Sequence, residues 1–113
     1  MNIGKSIKSV RKVLGISQEQ LCKKVGLSQP ALSQFENGVN NPNEKAVKKI
    51  SKALGVSSGL LYILAIDETD VPKSKKAMFD SLYPHIKSLA FDLVLTDEQR
   101  IRLKKLVTFE NNS

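Results

Sequence analysis

The sequence predicts an all-α protein in which five short helices form one compact unit and a small C-terminal helical segment follows. Three observations predict it. Apolar residues recur at spacings of three and four along most of the 113-residue chain, the period of an amphipathic helix. Glycines at 15, 26, 38 and 55 stand where periodic runs break off, as expected of helix-closing positions. Rings are scarce, with four Phe, two Tyr and no Trp, so Ile, Leu, Val and Ala must supply the core.

The first helix spans 3–14, with Ile3, Ile7, Val10, Val13 and Leu14 on one face and Gly15 as its stop. Ser17 opens the second. Ser17 with Gln20 forms a capping box, each side chain satisfying an orphan N–H of the other's backbone. Leu21, Cys22 and Val25 make its apolar face, and Gly26 ends it. Ser28 caps a short third helix reaching Phe35 or Glu36, with Ala31, Leu32 and Phe35 inward. Pro30 is its second residue, where the missing N–H removes no helical bond. Asn37-Gly38 closes it, and a polar loop runs to Asn43.

Asn43 starts a fourth helix, with Ala46, Val47, Ile50, Ala53 and Leu54 on one side and four lysines on the other. Gly55 ends that helix, and a buried fifth follows Ser57 through Leu60–Leu64. Residues 67–76 read as a linker by composition. Beyond it, Met78, Phe79, Leu82, Tyr83, Ile86, Leu89, Ala90 and Leu93 return to helical spacing, interrupted by Pro84. Either the helix bends there or Ser81 caps a new helix with Pro84 in its first turn. A second capping box, Thr96 to Gln99, starts a last helix carrying Ile101, Leu103, Leu106 and Val107, and residues 109–113 fray. The chain therefore divides into 1–66, a linker at 67–76 and a C-terminal helical segment at 77–113.

Charge is split along the same line. Residues 1–66 hold ten basic side chains against Glu19, Glu36 and Glu44, whereas residues 67–113 hold eight of each sign. The entire net charge of +7 lies in the first part, as suits a surface that meets a polyanion; a merely solvated basic face is the plainer alternative. No run approaches the ~18 apolar residues of a membrane span, and the N-terminus lacks a leader's apolar stretch. One cysteine, Cys22, excludes an internal disulfide framework and fits a reducing cytoplasm.

Ser17 through Gly38, with its helix-opening Gln18, small Cys22, Gly26 hinge and closing Phe35-Glu36-Asn37-Gly38, resembles the helix-turn-helix of the phage repressor and Cro family, also called Xre. The resemblance extends over about residues 3–66, through Pro42 and Leu54–Ser57. It implies a lambda-repressor-like fold and a DNA-binding transcriptional regulator, most naturally a repressor that binds a palindromic operator as a homodimer with helix three in the major groove. The alternative is an antitoxin-type regulator whose C-terminal segment binds a toxin or another protein.

The residues support the same reading by themselves. Gln29, Pro30, Ser33 and Gln34 lie on one stripe of helix three. None is charged, and a glutamine can pair bidentately with adenine. These four are the candidate base contacts. Pro30 departs from the polar residue common in the family and can offer a base only apolar contact, such as a thymine methyl. By resemblance, Ser17, Gln18, Asn37, Val39, Asn40 and Asn41 fall where the family grips phosphate, and Arg11 with Glu36 forms a structural ion pair. Other chemistry has little to build on. Cys22 sits at a packing position. His85 has no Cys or His partners for zinc and no nucleophile beside it, and no glycine-rich phosphate loop is present. The expectation is no enzyme activity, no cofactor and no metal. The partners are double-stranded DNA, a second copy of the chain, and potentially another protein through residues 77–108; that segment could equally pack against helix five of its own chain.

Overall fold

In a computed structural model, which describes residues 1–95, the chain folds as α1 (Ile3–Val13), α2 (Gln18–Val25), α3 (Gln29–Glu36), α4 (Glu44–Leu54), α5 (Ser58–Ala65) and α6 (Lys76–Val94). No strand occurs among these residues. The capping box at Thr96 and the last helix expected beyond it lie outside the described residues.

The helix boundaries follow from local chemistry. Asn2, Ser17, Ser28, Asn43 and Ser57 each accept a backbone N–H of the first turn through the side chain, which relieves donors that have no helical partner. The box between Ser17 and Gln20 is complete in both directions, at 3.0 and 2.9 Å. At the other ends, Gly26 and Gly55 take φ of 79° and 74°, a left-handed conformation that only glycine adopts without strain.

Helices of eight to eleven residues are marginal alone, so the shared core decides the fold. Ile7, Val10, Leu21, Leu32, Ile50 and Leu61 are fully enclosed. They draw on α1 to α5 together, and Ser6 in their midst gives its hydroxyl proton to the Leu61 carbonyl at 2.7 Å. α1 packs on both α5 and α3, and α2 on α3 and α4.

The seam between α1 and α3 is closest at Gly4. A Cβ built on Gly4 would stand 1.7 Å from the Phe35 carbonyl oxygen and 2.6 Å from its carbon, so nothing larger than hydrogen fits. The end of α3 therefore rests directly on the start of α1, backbone against backbone.

Residues 67–76 hold two short 3-10 turns, Glu68–Asp70 and Lys73–Lys75. Asp67 and Asp70 cap the first turn reciprocally, and both carboxylates also hold the N-terminal amine of Met1, at 3.4 and 2.8 Å. The hydrogen bond this amine donates to Asp70 outweighs the opposing effect of burial and, with that to Asp67, raises its affinity for its proton. α6 then runs unbroken through Pro84, so Ser81 does not cap a new helix. The helical donor that Pro84 cannot supply to the Asp80 carbonyl is replaceable by water, since Asp80 is exposed.

α6 packs on α5. Ala90 is buried and Phe91 and Val94 partly so, and the Tyr83 hydroxyl donates to the Ile63 carbonyl at 2.7 Å. Packing on helix five, one of the two arrangements open from sequence, thus occurs on one side of α6. Among the described residues its other side is uncovered: Met78, Leu82, Ile86, Leu89 and Leu93 all remain about half exposed or more.

Replacing Gly4 by Ala should lower unfolding free energy by about 1–3 kcal/mol despite alanine's better helix propensity. Urea denaturation followed by circular dichroism measures this, and an unchanged midpoint would contradict so close an approach.

Candidate nucleic-acid interface

The outer edge of α3 carries the uncharged stripe expected from its sequence. Gln29, Pro30 and Gln34 are exposed, and Ser33 is half-buried. Ser28 caps the helix through a 3.2 Å bond from the Ala31 N–H. Leu32 has no exposed surface, and Phe35 packs against the core. The inner residues thus fix the rotation of α3 and leave its amides outward.

What holds α3 in place is a buried ion pair. The Arg11 Nε and Nη2 donate to the two Glu36 carboxylate oxygens, each at 2.8 Å, a bidentate fork that fixes orientation as well as distance. A third Arg11 donor, Nη1, reaches the Ile16 carbonyl at 2.9 Å. The Glu36 side chain is fully covered. Burial pushes its carboxyl up, but the bonds from Arg11 and Gln18 outweigh burial and hold it below the ordinary glutamate range.

Gln18 links this buried pair to the surface. Its Nε2 donates to Glu36 at 3.0 Å, which turns its carbonyl oxygen outward, where the Gln29 amide approaches at 3.5 Å. An ionised, dry carboxylate therefore sets the orientation of one surface amide, and that amide leans on a second at the start of α3.

The loop after α3 is similarly tied to the stripe. The backbone N–H groups of Val39 and Asn40 both bond the Gln34 carbonyl, at 2.9 and 3.3 Å. The Asn40 side chain donates to the Gln34 amide oxygen at 2.7 Å, and Asn37 donates to the Ser33 hydroxyl at 3.3 Å. Among the residues expected at phosphate, Ser17, Asn37, Asn40 and Asn41 are exposed and polar. Val39 is exposed, yet its N–H is already spent and its side chain has no donor. No sequence signal marks the contacts of Gln18 with Glu36 or Asn40 with Gln34, because an amide's partner depends on which helices meet.

Cys22 lies buried where α2 meets its neighbours. Burial raises its thiol above the ordinary range, with Glu36 adding to the effect and Arg11 offsetting it. Such a thiol stays protonated and serves packing.

Residues 7–61 match the model of a family described as helix-turn-helix. An uncharacterised HTH-type transcriptional regulator of Sinorhizobium fredii is 34% identical over 67 residues, 59% of this chain and 86% of that protein. Uncharacterised HTH-type transcriptional regulators of Mycobacterium tuberculosis are 41% identical over 62 residues, 55% of this chain and 44% of theirs. Repressor protein C2 of Salmonella phage P22 is 34% identical over 84 residues, 74% of this chain and 39% of the repressor. The chain thus spans less than half the length of these mycobacterial regulators and of the P22 repressor. No solved structure matches it.

The ion pair separates folding from positioning in mutants. Arg11→Met or Glu36→Met alone leaves a buried charge unmatched and should cost about 3–5 kcal/mol of stability, whereas the double replacement should cost far less. Because the folded carboxyl is more acidic than in the unfolded chain, Glu36 contributes fully above about pH 4.3. That contribution drains away as pH falls through the lower folded value. The stability gap between the natural chain and Glu36→Gln, followed by denaturation across pH 2–7, should be constant near neutrality and close in acid. A gap that widened in acid would reverse the sign assigned to Glu36.

Proposed function

Since the chain belongs to the helix-turn-helix family of phage repressor and Cro (Xre) type, DNA-binding transcription regulators, we propose that it is a sequence-specific repressor. It binds a palindromic operator as a homodimer, with α3 of each copy in the major groove. The single observation that carries this reading is the stripe of exposed amide, hydroxyl and ring at Gln29, Pro30, Ser33 and Gln34, set on a helix whose rotation the core and the Arg11–Glu36 pair fix.

Each part of the surface has a distinct task. Gln29 and Gln34 hydrogen-bond base edges, adenine N6 and N7 being the natural partner of an amide. Ser33 makes a single contact between them. Pro30 presses its ring on a thymine methyl. The Ser17 hydroxyl and the Gln18 backbone N–H meet phosphate at the start of α2, where the helix dipole also favours an anion. Asn37, Asn40 and Asn41 offer side-chain donors to the neighbouring phosphates, and Val39 adds apolar contact with the sugar edge. Surface lysines of the first 66 residues supply the salt-dependent attraction. The antitoxin-type reading shares this DNA-binding half and differs only in what covers the bare side of α6.

Selection of bound sequences from random duplex DNA should return a palindrome with half-sites about 34 Å apart. Fluorescence anisotropy on that duplex should show affinity falling on the order of 10³-fold between 50 and 200 mM salt. The double variant Gln29→Ala, Gln34→Ala should lose from about thirty-fold to about 10⁴-fold in specific affinity, about 1–3 kcal/mol for each amide, while the slope against salt stays unchanged. Absence of salt-sensitive binding to any duplex would overturn the proposal.

A further inference from the structure

We infer that the bare side of α6 is a self-complementary surface through which two copies of this chain pair antiparallel about a two-fold axis near Ile86. The inference rests on reading the protein as a dimer on DNA and assigns the contact that makes it one.

The surface is continuous. Met78, Leu82, Ile86, Leu89 and Leu93 are 49–68% exposed and follow one another at steps of four, four, three and four, a single row about 22 Å long. Beside its first half lies a groove of about 360 Å³ walled by Ile63, Ile66, Val71, Met78, Leu82 and Ile86. Row and groove together make an apolar patch of the size that often marks an interaction site.

Three features select a second copy as the occupant. The row reads nearly alike from either end, so an antiparallel partner sets Leu82 against the partner's Leu89 and Met78 against the partner's Leu93, with Ile86 near the axis. Each contact then occurs twice, the signature of an isologous interface. The partner's Leu93 arrives beside the groove that flanks the first half of the row, so the groove of each copy is filled by the end of the other. Size is the second feature: at these exposures the row offers on the order of 500 Å² per copy, and a pair about 1,000 Å², where specific interfaces begin.

Charge is the third. α6 carries Lys76 and Lys87 against Asp80 and Asp92, so two α6 helices approach without net repulsion. The charge of +7 belongs to the first 66 residues, where a duplex neutralises it. α6 packs on α5 while α3 packs on α1 and α2, so a partner on α6 leaves the amide stripe of α3 open.

The test is the mass of the full chain by sedimentation velocity across micromolar concentrations. The natural chain should be a dimer. Leu82→Lys with Leu89→Lys, both at exposed positions, should be a monomer with an unchanged circular dichroism spectrum. Leu82→Lys with Leu89→Asp should dimerise again, because antiparallel pairing sets each lysine against the partner's aspartate; a parallel pair would set like against like and stay apart. A natural chain that is monomeric, or a double-lysine variant that still dimerises, overturns the inference. The monomeric variant should bind a duplex bearing one half-site as well as the natural chain does, and lose at least tenfold on the full palindrome. Failure of both proteins on the half-site would strike the DNA-binding proposal instead.

Discussion

The dry ion pair between Arg11 and Glu36 is the constraint on which the recognition surface depends. α3 has eight residues, too few to hold a helical conformation unaided, and the partners of its outer edge, Gln18, Asn37 and Asn40, are themselves surface amides. Its position is borrowed from α1. Gly4 lets the two backbones meet at Phe35, and the guanidinium fork fixes the adjoining Glu36, at the same end of α3, at two points. Two unlike interactions, a steric contact and an electrostatic one, thereby define both the height and the rotation of the helix. Such a pair contributes less to net stability than its short distances suggest, because both ions lose their hydration. Its value lies in geometry, since Gln18 takes its direction from the same carboxylate.

Most helix boundaries were legible in the sequence because they are settled within four residues. Ser17 with Gln20, Asn43, Ser57, Gly26 and Gly55 each satisfy or strain only their own turn, and the spacing of residues announces them. The inward faces were legible for a similar reason, since period alone separates Leu32 and Phe35 from Gln29 and Gln34. Gly4 was not. Its importance comes from Phe35, thirty-one positions away, and a glycine inside an apolar helical run otherwise reads as a weak spot. Gln18 and Asn40 escaped for the same reason: an amide has donors and acceptors for many partners, and tertiary structure chooses among them.

α6 shows the same division between local and distant information. Its periodicity predicted a helix, yet the apolar residues are too many for one face, and sequence could not say which would meet α5. Tyr83, Ala90 and Phe91 take that side, helped by the bond from Tyr83 to the Ile63 carbonyl. Pro84 was ambiguous because its effect depends on whether the lost bond is missed. On an exposed stretch it is not. The composition of residues 67–76 suggested a plain connector, but Asp67 and Asp70 fold it into a turn and clasp the N-terminal amine, so polar residues here build structure as well as solubility.

Pro30 stands between two of the outward amides at the second position of α3. A pyrrolidine ring fixes φ there and narrows the conformations open to the unfolded chain. The leading turn of α3 consequently has little freedom left to surrender when another molecule closes over it. Rigidity installed during folding spares association part of its entropic penalty, at the price of adaptability toward ligands of slightly different shape.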